Sequence, residues 1–246
     1  MRYLILTDIH SNLEALDACL TDARARQCDQ SVVLGDLVGY GADPNAVVDR
    51  VRVLEPVAIV RGNHDKVSSG LESAESFNTI ARTAAAWTAT ALTDDNRRWV
   101  AGLPRGPRRL DDDILICHGS PIDEDEYIFG WAEARAALVA CPQPLCLFGH
   151  THCQAVFQLD RGTVSEVRLA AAPSTLQLQA SAKYLVNPGA VGQPRDADPR
   201  AAYAIVDTRV SQIELHRVPY AMQLTQDKIK RAGLPASLAD RLALGR

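Results

Sequence analysis

No stretch of this 246-residue chain is apolar over the length needed to cross a bilayer. The opening run, MRYLILTDI, is too short for an export signal and is broken by Asp8, so a cytoplasmic protein with no membrane partner is expected. Basic charge is not in excess either. The formal net charge is -4 and no separate DNA-binding region is visible, whereas binding to long nucleic acid rests on a dense basic patch. None of the six cysteines (Cys19, Cys28, Cys117, Cys141, Cys146, Cys153) forms a C-x-x-C pair. A chain of this size without an export signal needs no cystine staples, so these thiols are expected to pack as small buried hydrophobes. Internal repeats and low-complexity linkers are lacking too. One domain over 1–246 is the simplest organisation, with a helical segment at about 73–101 and a tail at about 225–246 as elaborations.

What is present is ordinary in amount and unusual in placement. Apolar residues make up 47% and charged residues 23%, as in soluble globular chains, and the length suffices for a substantial core. Short apolar runs recur, and most end in a polar cluster. Tyr3 to Leu6 leads into TDIHSN, Ser31 to Leu34 into GDLVGYG, and Val57 to Val60 into RGNHD. Ile114 to Cys117 leads into HGSP, and Leu145 to Phe148 into GHTH. Between the first runs, Leu13, Leu16, Ala18 and Leu20 are spaced for a helix that Asn12 or Ser11 can cap, and Ala46, Val47, Val48 and Val51 support another. Strands alternating with helices predict a parallel sheet. Phe77, Ile80, Ala84 and Trp87 predict one helix and a start at Thr93 predicts a second, with their aromatics in a core rather than in a base-stacking platform. The GLPRGPRRLDDD segment reads as a solvated turn. Beyond residue 150 the texture becomes short and β-branched, which predicts antiparallel strands, and a helical tail from Thr225.

In parallel α/β sheets, ligands bind outside the carboxyl ends of the strands. Five such ends carry Asp8 with His10, Asp36, Asn63 with His64, His118, and His150 with His152. The chain has only six histidines; the remaining one, His216, lies in a late strand. Five imidazoles interleaved with aspartates are costly to bury as structural groups. Metal ions account for them: imidazole and carboxylate donors without cysteine suit Mn, Fe, Zn or Ni. Asp8, His10, Asp36, Asn63, His118, His150 and His152 make seven candidate ligands, too many for one tetrahedral ion and suited to two that share a carboxylate.

In order, D-x-H (Asp8, His10), G-D-x-x-G-Y (Gly35 to Tyr40), G-N-H-D (Gly62 to Asp65), H-G (His118, Gly119) and G-H-T-H (Gly149 to His152) resemble the calcineurin-like metallophosphoesterases. The spacing, and the N-P-G-x-V-G-Q-P-R-D segment at 187–196, resemble the small prokaryotic branch. The resemblance implies an α/β fold, an αββα four-layer sandwich of two mixed β-sheets flanked by helices. It implies Asp8, His10 and His152 on one ion, Asn63, His118 and His150 on a second, and Asp36 as the bridge. It also implies His64 as the catalytic residue, donating a proton to the leaving oxygen or stabilising charge there. The branch includes phosphodiesterases and dinucleoside polyphosphate hydrolases, so the substrate implied is a small-molecule phosphoester or nucleotide, cleaved by in-line attack of a metal-activated water.

The protein phosphatase branch carries an Asp that orients the catalytic His and an Arg that grips phosphate. Here those positions hold Gly39 and Tyr40, which disfavours phosphoprotein substrates. Asp65 is a candidate orienter of His64 by proximity, and Arg195 a candidate phosphate grip; with Asn12 and Tyr40 they are the candidate substrate-binding residues. The alternatives are a non-catalytic metal-binding scaffold of the same fold, or a phosphomonoesterase or protein phosphatase. Loss of a ligand or of His64 would favour the scaffold, and all are present.

Overall fold

The computed structural model describes all 246 residues. The first half runs β1 (Arg2–Leu6), α1 (Leu13–Arg24), β2 (Gln30–Val33), α2 (Pro44–Leu54), β3 (Ala58–Ile59), α3 (Asn63–Ser69), α4 (Thr79–Ala91) and α5 (Asp94–Ala101). Next come β4 (Arg108–Arg109), β5 (Ile114–Ile116), α6 (Trp131–Ala140), β6 (Leu145–Leu147), β7 (Gln154–Asp160), β8 (Thr163–Glu166) and β9 (Ser174–Gln177). The chain closes with β10 (Lys183–Pro188), β11 (Ala201–Asp207), β12 (Gln212–Val218), α7 (Met222–Arg231), α8 (Ala236–Asp240) and a 3₁₀ turn at Arg241–Leu244.

The strands form two six-stranded sheets, ordered β3-β2-β1-β11-β12-β9 and β4-β5-β6-β10-β7-β8. Within the first, β1, β2 and β3 are parallel while β11 and β12 run antiparallel. Within the second, β5, β6 and β10 are parallel. Side-chain alternation explains the layering. Tyr3 and Ile5 of β1 join Ile114, Ile116, Leu145 and Leu147 in a core between the sheets, while Leu4 and Leu6 face Leu16, Leu20, Val47 and Val51 of α1 and α2. The outer face of the second sheet, with Cys146, Phe148 and Leu185, is covered by Ala134, Ala137 and Leu138 of α6. Both faces of each sheet are therefore buried, which is why the strands read as unbroken apolar runs. The result is the four-layer sandwich of mixed sheets between helices.

The helix starts follow their caps. Asn12 Oδ1 accepts from the Ala15 N–H at 3.1 Å, Pro44 occupies the first position of α2, and Thr93 Oγ1 accepts from the Asn96 N–H at 3.2 Å. The five polar strand ends are divided between the two sheets of that sandwich. Several other expectations need correction. The Val57 to Val60 run contributes only Ala58 and Ile59 to an edge strand, with Val57 exposed after Pro56. The GLPRGPRRLDDD turn includes the two-residue edge strand β4. Phe77 precedes its helix and Ile80 is exposed. Helix α6 and strand β9 were not foreseen: β9 is short, and α6 buries alanines while exposing Trp131 and Val139, so its apolar pattern shows no clear face. All six cysteines are free thiols, four of them buried, with Cys28 and Cys153 half-buried.

Candidate metal centre

The loops after β1, β2, β5 and β6 are tied to one another by hydrogen bonds at their carboxyl ends. His118 Nδ1 bonds the Leu34 carbonyl at 2.8 Å, the Gly149 N–H donates to the His118 carbonyl at 2.8 Å, and the His150 N–H donates to Asp8 Oδ2 at 3.1 Å. These ties draw the motif residues together. The candidate ligand atoms of Asp8, His10, Asp36 and His152 lie within 4.8 Å of one another, as do those of Asp36, His118 and His150; all six residues are buried.

The tautomers are set by the surroundings. His10 Nδ1 donates to the Val38 carbonyl (3.0 Å), His118 Nδ1 to Leu34, His150 Nε2 to the Asp125 carbonyl (3.0 Å) and His152 Nδ1 to the Gln193 carbonyl (2.7 Å). A carbonyl only accepts, so each ring's proton is on that side and its lone pair faces inward. Those inward nitrogens meet in pairs, His10 Nε2 with His152 Nε2 and His118 Nε2 with His150 Nδ1, both at 3.1 Å. Two lone pairs at that distance repel unless a cation lies between them. Asp36 Oδ2 stands 3.5 Å from His10 Nε2 and 3.4 Å from His118 Nε2, between the pairs. Asp8 Oδ1 is 3.4 Å from His152 Nε2, and Asn63 Oδ1 is 3.3 Å from His118 Nε2. Donor atoms bound to one ion at about 2.0–2.2 Å stand roughly 3–4 Å apart, so the residues fit two ions sharing Asp36.

The backbone is bent to make this arrangement. Asp8, His10, Asp36, His150 and His152 all have φ between 48° and 65°, the left-handed region that non-glycine residues avoid. Such strain persists only where the surroundings enforce it, and it clusters at functional sites. Gly62 is required for a different reason: a Cβ there would lie 2.1 Å from Asp36 Oδ1.

The charge balance points the same way. Burial, with the neighbouring Asp36 charge, pushes the Asp8 carboxyl up to about 7. Burial also drives His10 and His152 well below their ordinary range and His150 down to about 3. His118 goes the other way: burial opposes its charging, but the Asp36 and Asp8 carboxylates push it up to about 10. In the bare protein a second proton, on the inward Nε2, would thus make His118 the counter-cation of Asp36, and a metal ion bound there would take that proton's place.

His64 lies in the same loop cluster but offers nothing to either group. Its backbone N–H donates to Asp36 Oδ1 at 2.8 Å, while its ring packs against Tyr40 (centroids 4.3 Å apart) and Phe77 (4.6 Å). Its Nδ1 is buried without a partner, 2.5 Å from where a Cβ of Gly39 would stand. Burial holds this imidazole down at about 4. Asp65 is not its orienter. The Asp65 carboxylate is wholly buried and accepts the N–H groups of Leu37 (2.9 Å), Val38 (3.2 Å) and Gly62 (3.0 Å), with no hydrogen bond to the His64 ring. Asn12 is likewise turned inward, as the cap of α1 and as donor to the Gly192 carbonyl at 2.9 Å. Both are corrections to their reading as substrate-binding residues. Asn12 lies two residues after His10 and Asp65 closes the G-N-H-D motif, but their side chains serve the loops.

Tyr40 and Arg195 do border the centre. The Tyr40 ring packs on His10 (4.7 Å) and carries the Arg195 guanidinium 5.6 Å from its centroid. Four further residues there escaped the sequence reading. Arg241, from the 3₁₀ turn, stacks over Tyr40 at 4.6 Å and is lowered to about 10 by burial and by Arg195. Tyr127 stacks on His150 with centroids 3.8 Å apart, and Phe129 lies parallel to Tyr127 at 5.3 Å. Lys66, almost wholly buried, bonds Asp125 (2.6 Å), Glu124 (3.2 Å) and Glu72 (3.0 Å), anchoring the loop whose Asp125 carbonyl holds His150. None of the four sits in a motif; Lys66, two residues after His64, is the one that position alone could have suggested. Lys66→Met leaves buried Glu124 with the half-buried Arg61 at 3.0 Å and the exposed Arg105 at 3.6 Å. The expected loss is about 3 kcal/mol, at the lower end for a broken buried pair. It would be read as a melting temperature lowered by roughly 6–12 °C.

A model of the calcineurin-like phosphoesterase superfamily domain matches residues 1–211. The chain belongs to the calcineurin-like phosphoesterase superfamily. An uncharacterised protein of Methanocaldococcus jannaschii is 35% identical over 251 residues, covering 98% of this chain and 97% of its own. The crystal structure of a metallophosphoesterase from Sphaerobacter thermophilus superposes with a TM-score of 0.87 at 40% identity, covering 100% of this chain and 99% of that one. A hypothetical protein from Pyrococcus horikoshii OT3 has the same fold at 18% identity, with a TM-score of 0.81 and 100% and 98% coverage. Within this calcineurin-like phosphoesterase, α7, α8 and the 3₁₀ turn lie beyond the segment that the family model matches, and they carry Arg241.

Proposed function

We propose that this protein is a dinuclear-metal-dependent phosphohydrolase that cleaves phosphodiester or phosphoanhydride bonds in nucleotides and dinucleoside polyphosphates. The observation that carries the reading is Asp36 Oδ2 between two inward-facing histidine pairs. Asp8, His10, Asp36 and His152 hold one ion, and Asp36, Asn63, His118 and His150 the other. Nitrogen and oxygen donors suit Mn, Fe, Zn or Ni. When bound, such ions supply Lewis acidity and an activated water. Asn63 gives a neutral oxygen, which keeps the charge of the centre from becoming too negative. His64 donates from its ring to the leaving oxygen; the phosphate's own charge favours its protonated form once substrate is in place.

The Tyr127–Phe129 pair supports a nucleotide. Both rings are exposed, by 43% and 68%, and Tyr127 rests directly on the candidate ligand His150. A base stacked there would be tethered within reach of the centre. Gly39 and Tyr40 leave out the orienting Asp and gripping Arg of protein phosphatases, which supports small esters over phosphoproteins. The test is a turnover screen of the Mn-loaded protein on phosphoserine peptides, phosphomonoesters, cyclic nucleotides, aryl diesters and dinucleoside polyphosphates. Diesters and anhydrides should lead, and Tyr127→Ala should raise KM for the nucleotide substrates about tenfold, within the roughly 1–3 kcal/mol of a stacked base. Efficient turnover of phosphopeptides, or none of any ester with both ions bound, would refute the proposal.

A further inference from the structure

We propose that Arg195 and Arg241 form an anion subsite beside the metal centre, for a phosphate group of the substrate other than the one being cleaved. Both guanidinium groups lie over the Tyr40 ring, and both donate through Nη2 to the single oxygen Gln193 Oε1. Two like charges are thus held on one amide oxygen and one aromatic ring, with no carboxylate paired to either. The other half-buried arginines sit against carboxylates, as Arg61 does on Glu124, Arg200 on Asp198 and Arg217 on Asp196. Repulsion between unpaired cations is relieved by an anion, and the planar forks of two arginines suit phosphate oxygens. Arg241 Nε is moreover buried without a partner.

The tail is fastened so that Arg241 reaches this place. Lys228 of α7 pairs with Asp43 at 2.8 Å and with Glu14, and Thr225 Oγ1 donates to Asn12 Oδ1 at 3.1 Å. Ile229, Leu238 and Leu242 pack with Tyr40 in one apolar cluster, and the Ala197 N–H donates to the Gly245 carbonyl at 3.0 Å. Arg195 is fixed from the other side by its N–H on the His152 carbonyl at 3.1 Å. Tyr40 in turn packs on His10 and His64, so the pair stands one ring away from the reacting position. A substrate with a single phosphate fills the metal centre and leaves the pair empty. One with a phosphoanhydride chain fills both. The subsite therefore selects phosphoanhydrides within the proposed activity, on which it rests.

The experiment compares the p-nitrophenyl ester of thymidine 5′-phosphate, with one phosphate, against a dinucleoside tetraphosphate on the Mn-loaded protein. Arg241→Gln should lower kcat/KM for the tetraphosphate about ten- to a hundredfold more than for the single-phosphate ester, chiefly through KM, as expected for lost charged hydrogen bonds. Arg241→Lys keeps the charge in the same packing, guards against a folding defect and should recover part of the loss. Equal losses on both substrates would assign Arg241 to the phosphate being cleaved or to the fold, and no loss on either would leave it no part; both overturn the subsite. Calorimetry with methylenediphosphonate on the same protein separates this from the activity itself. If the wild type cleaves neither substrate yet binds that anion at least tenfold more tightly than Arg241→Gln does, the hydrolase reading falls and the subsite stands. Equal binding by wild type and variant would overturn it.

Discussion

Asp36→Asn is expected to empty both halves of the centre together. Asp36 Oδ2 is the one oxygen that faces His10 Nε2 and His118 Nε2 alike. Its other oxygen accepts the His64 N–H at 2.8 Å, a task that an amide oxygen can take over, so the loop itself should hold. On the proposed reading, what the substitution removes is the negative charge between two cations that would stand roughly 3.5–4 Å apart, leaving their repulsion unopposed. Elemental analysis should read about two ions per chain in the wild type and well below one in the variant. Turnover should fall on the order of 10³-fold or more, since several kcal/mol of transition-state stabilisation is lost. The melting curve gives a second readout. Ions that bind only the folded state add about 2.7 kcal/mol at a hundred times their Kd, so chelation should lower the wild-type melting temperature and leave the variant's unchanged. A variant that keeps one ion in full would show that Asp36 serves a single half.

The gathering of these residues was legible in the sequence because five of the seven are of scarce types, histidine and asparagine, which occur six times each. Asp8, His10, Asp36, Asn63, His118, His150 and His152 stand at the ends of apolar runs, and strand ends are where a parallel sheet gathers its loops. The division into two sheets was less legible, because it depends on pairings such as β1 with β11 that join residues about two hundred positions apart. The direction of a polar side chain is not written in its identity. Asn12 follows one motif and Asp65 closes another, yet both bond backbone N–H groups within the protein. Arg241 illustrates the converse. It lies in a tail of ordinary composition, and only the docking of Ile229, Leu238 and Leu242 beside Tyr40 turns it toward Arg195. Tyr127 and Phe129 were hidden for a similar reason, since two aromatics in a loop have no periodicity to show what they stack on.

His64→Ala is expected to separate chemistry from metal binding. Asn63 and His64 are consecutive, yet only Asn63 directs an oxygen at the inward nitrogen of His118. The contribution of His64 to Asp36 comes from its backbone N–H, which alanine retains, so both ions should remain bound and the fold intact. The imidazole itself is held by the Tyr40 and Phe77 rings, with Nδ1 unpartnered beside Gly39 and no carboxylate to orient it. Its loss should therefore appear in turnover, on the order of 10²–10⁴-fold, the usual range for a positioned acid or base. The deficit should grow with the basicity of the leaving group. A nitrophenolate departs without a proton and should suffer least, a ribose alkoxide needs one and should suffer most, and a diphosphate should fall between them. Elemental analysis of the purified variant and kcat measured across the three leaving groups decide the matter. Loss of an ion would make His64 a ligand, and an equal slowing of all three would make it a phosphate-positioning group; in either case the proton donor must be sought elsewhere.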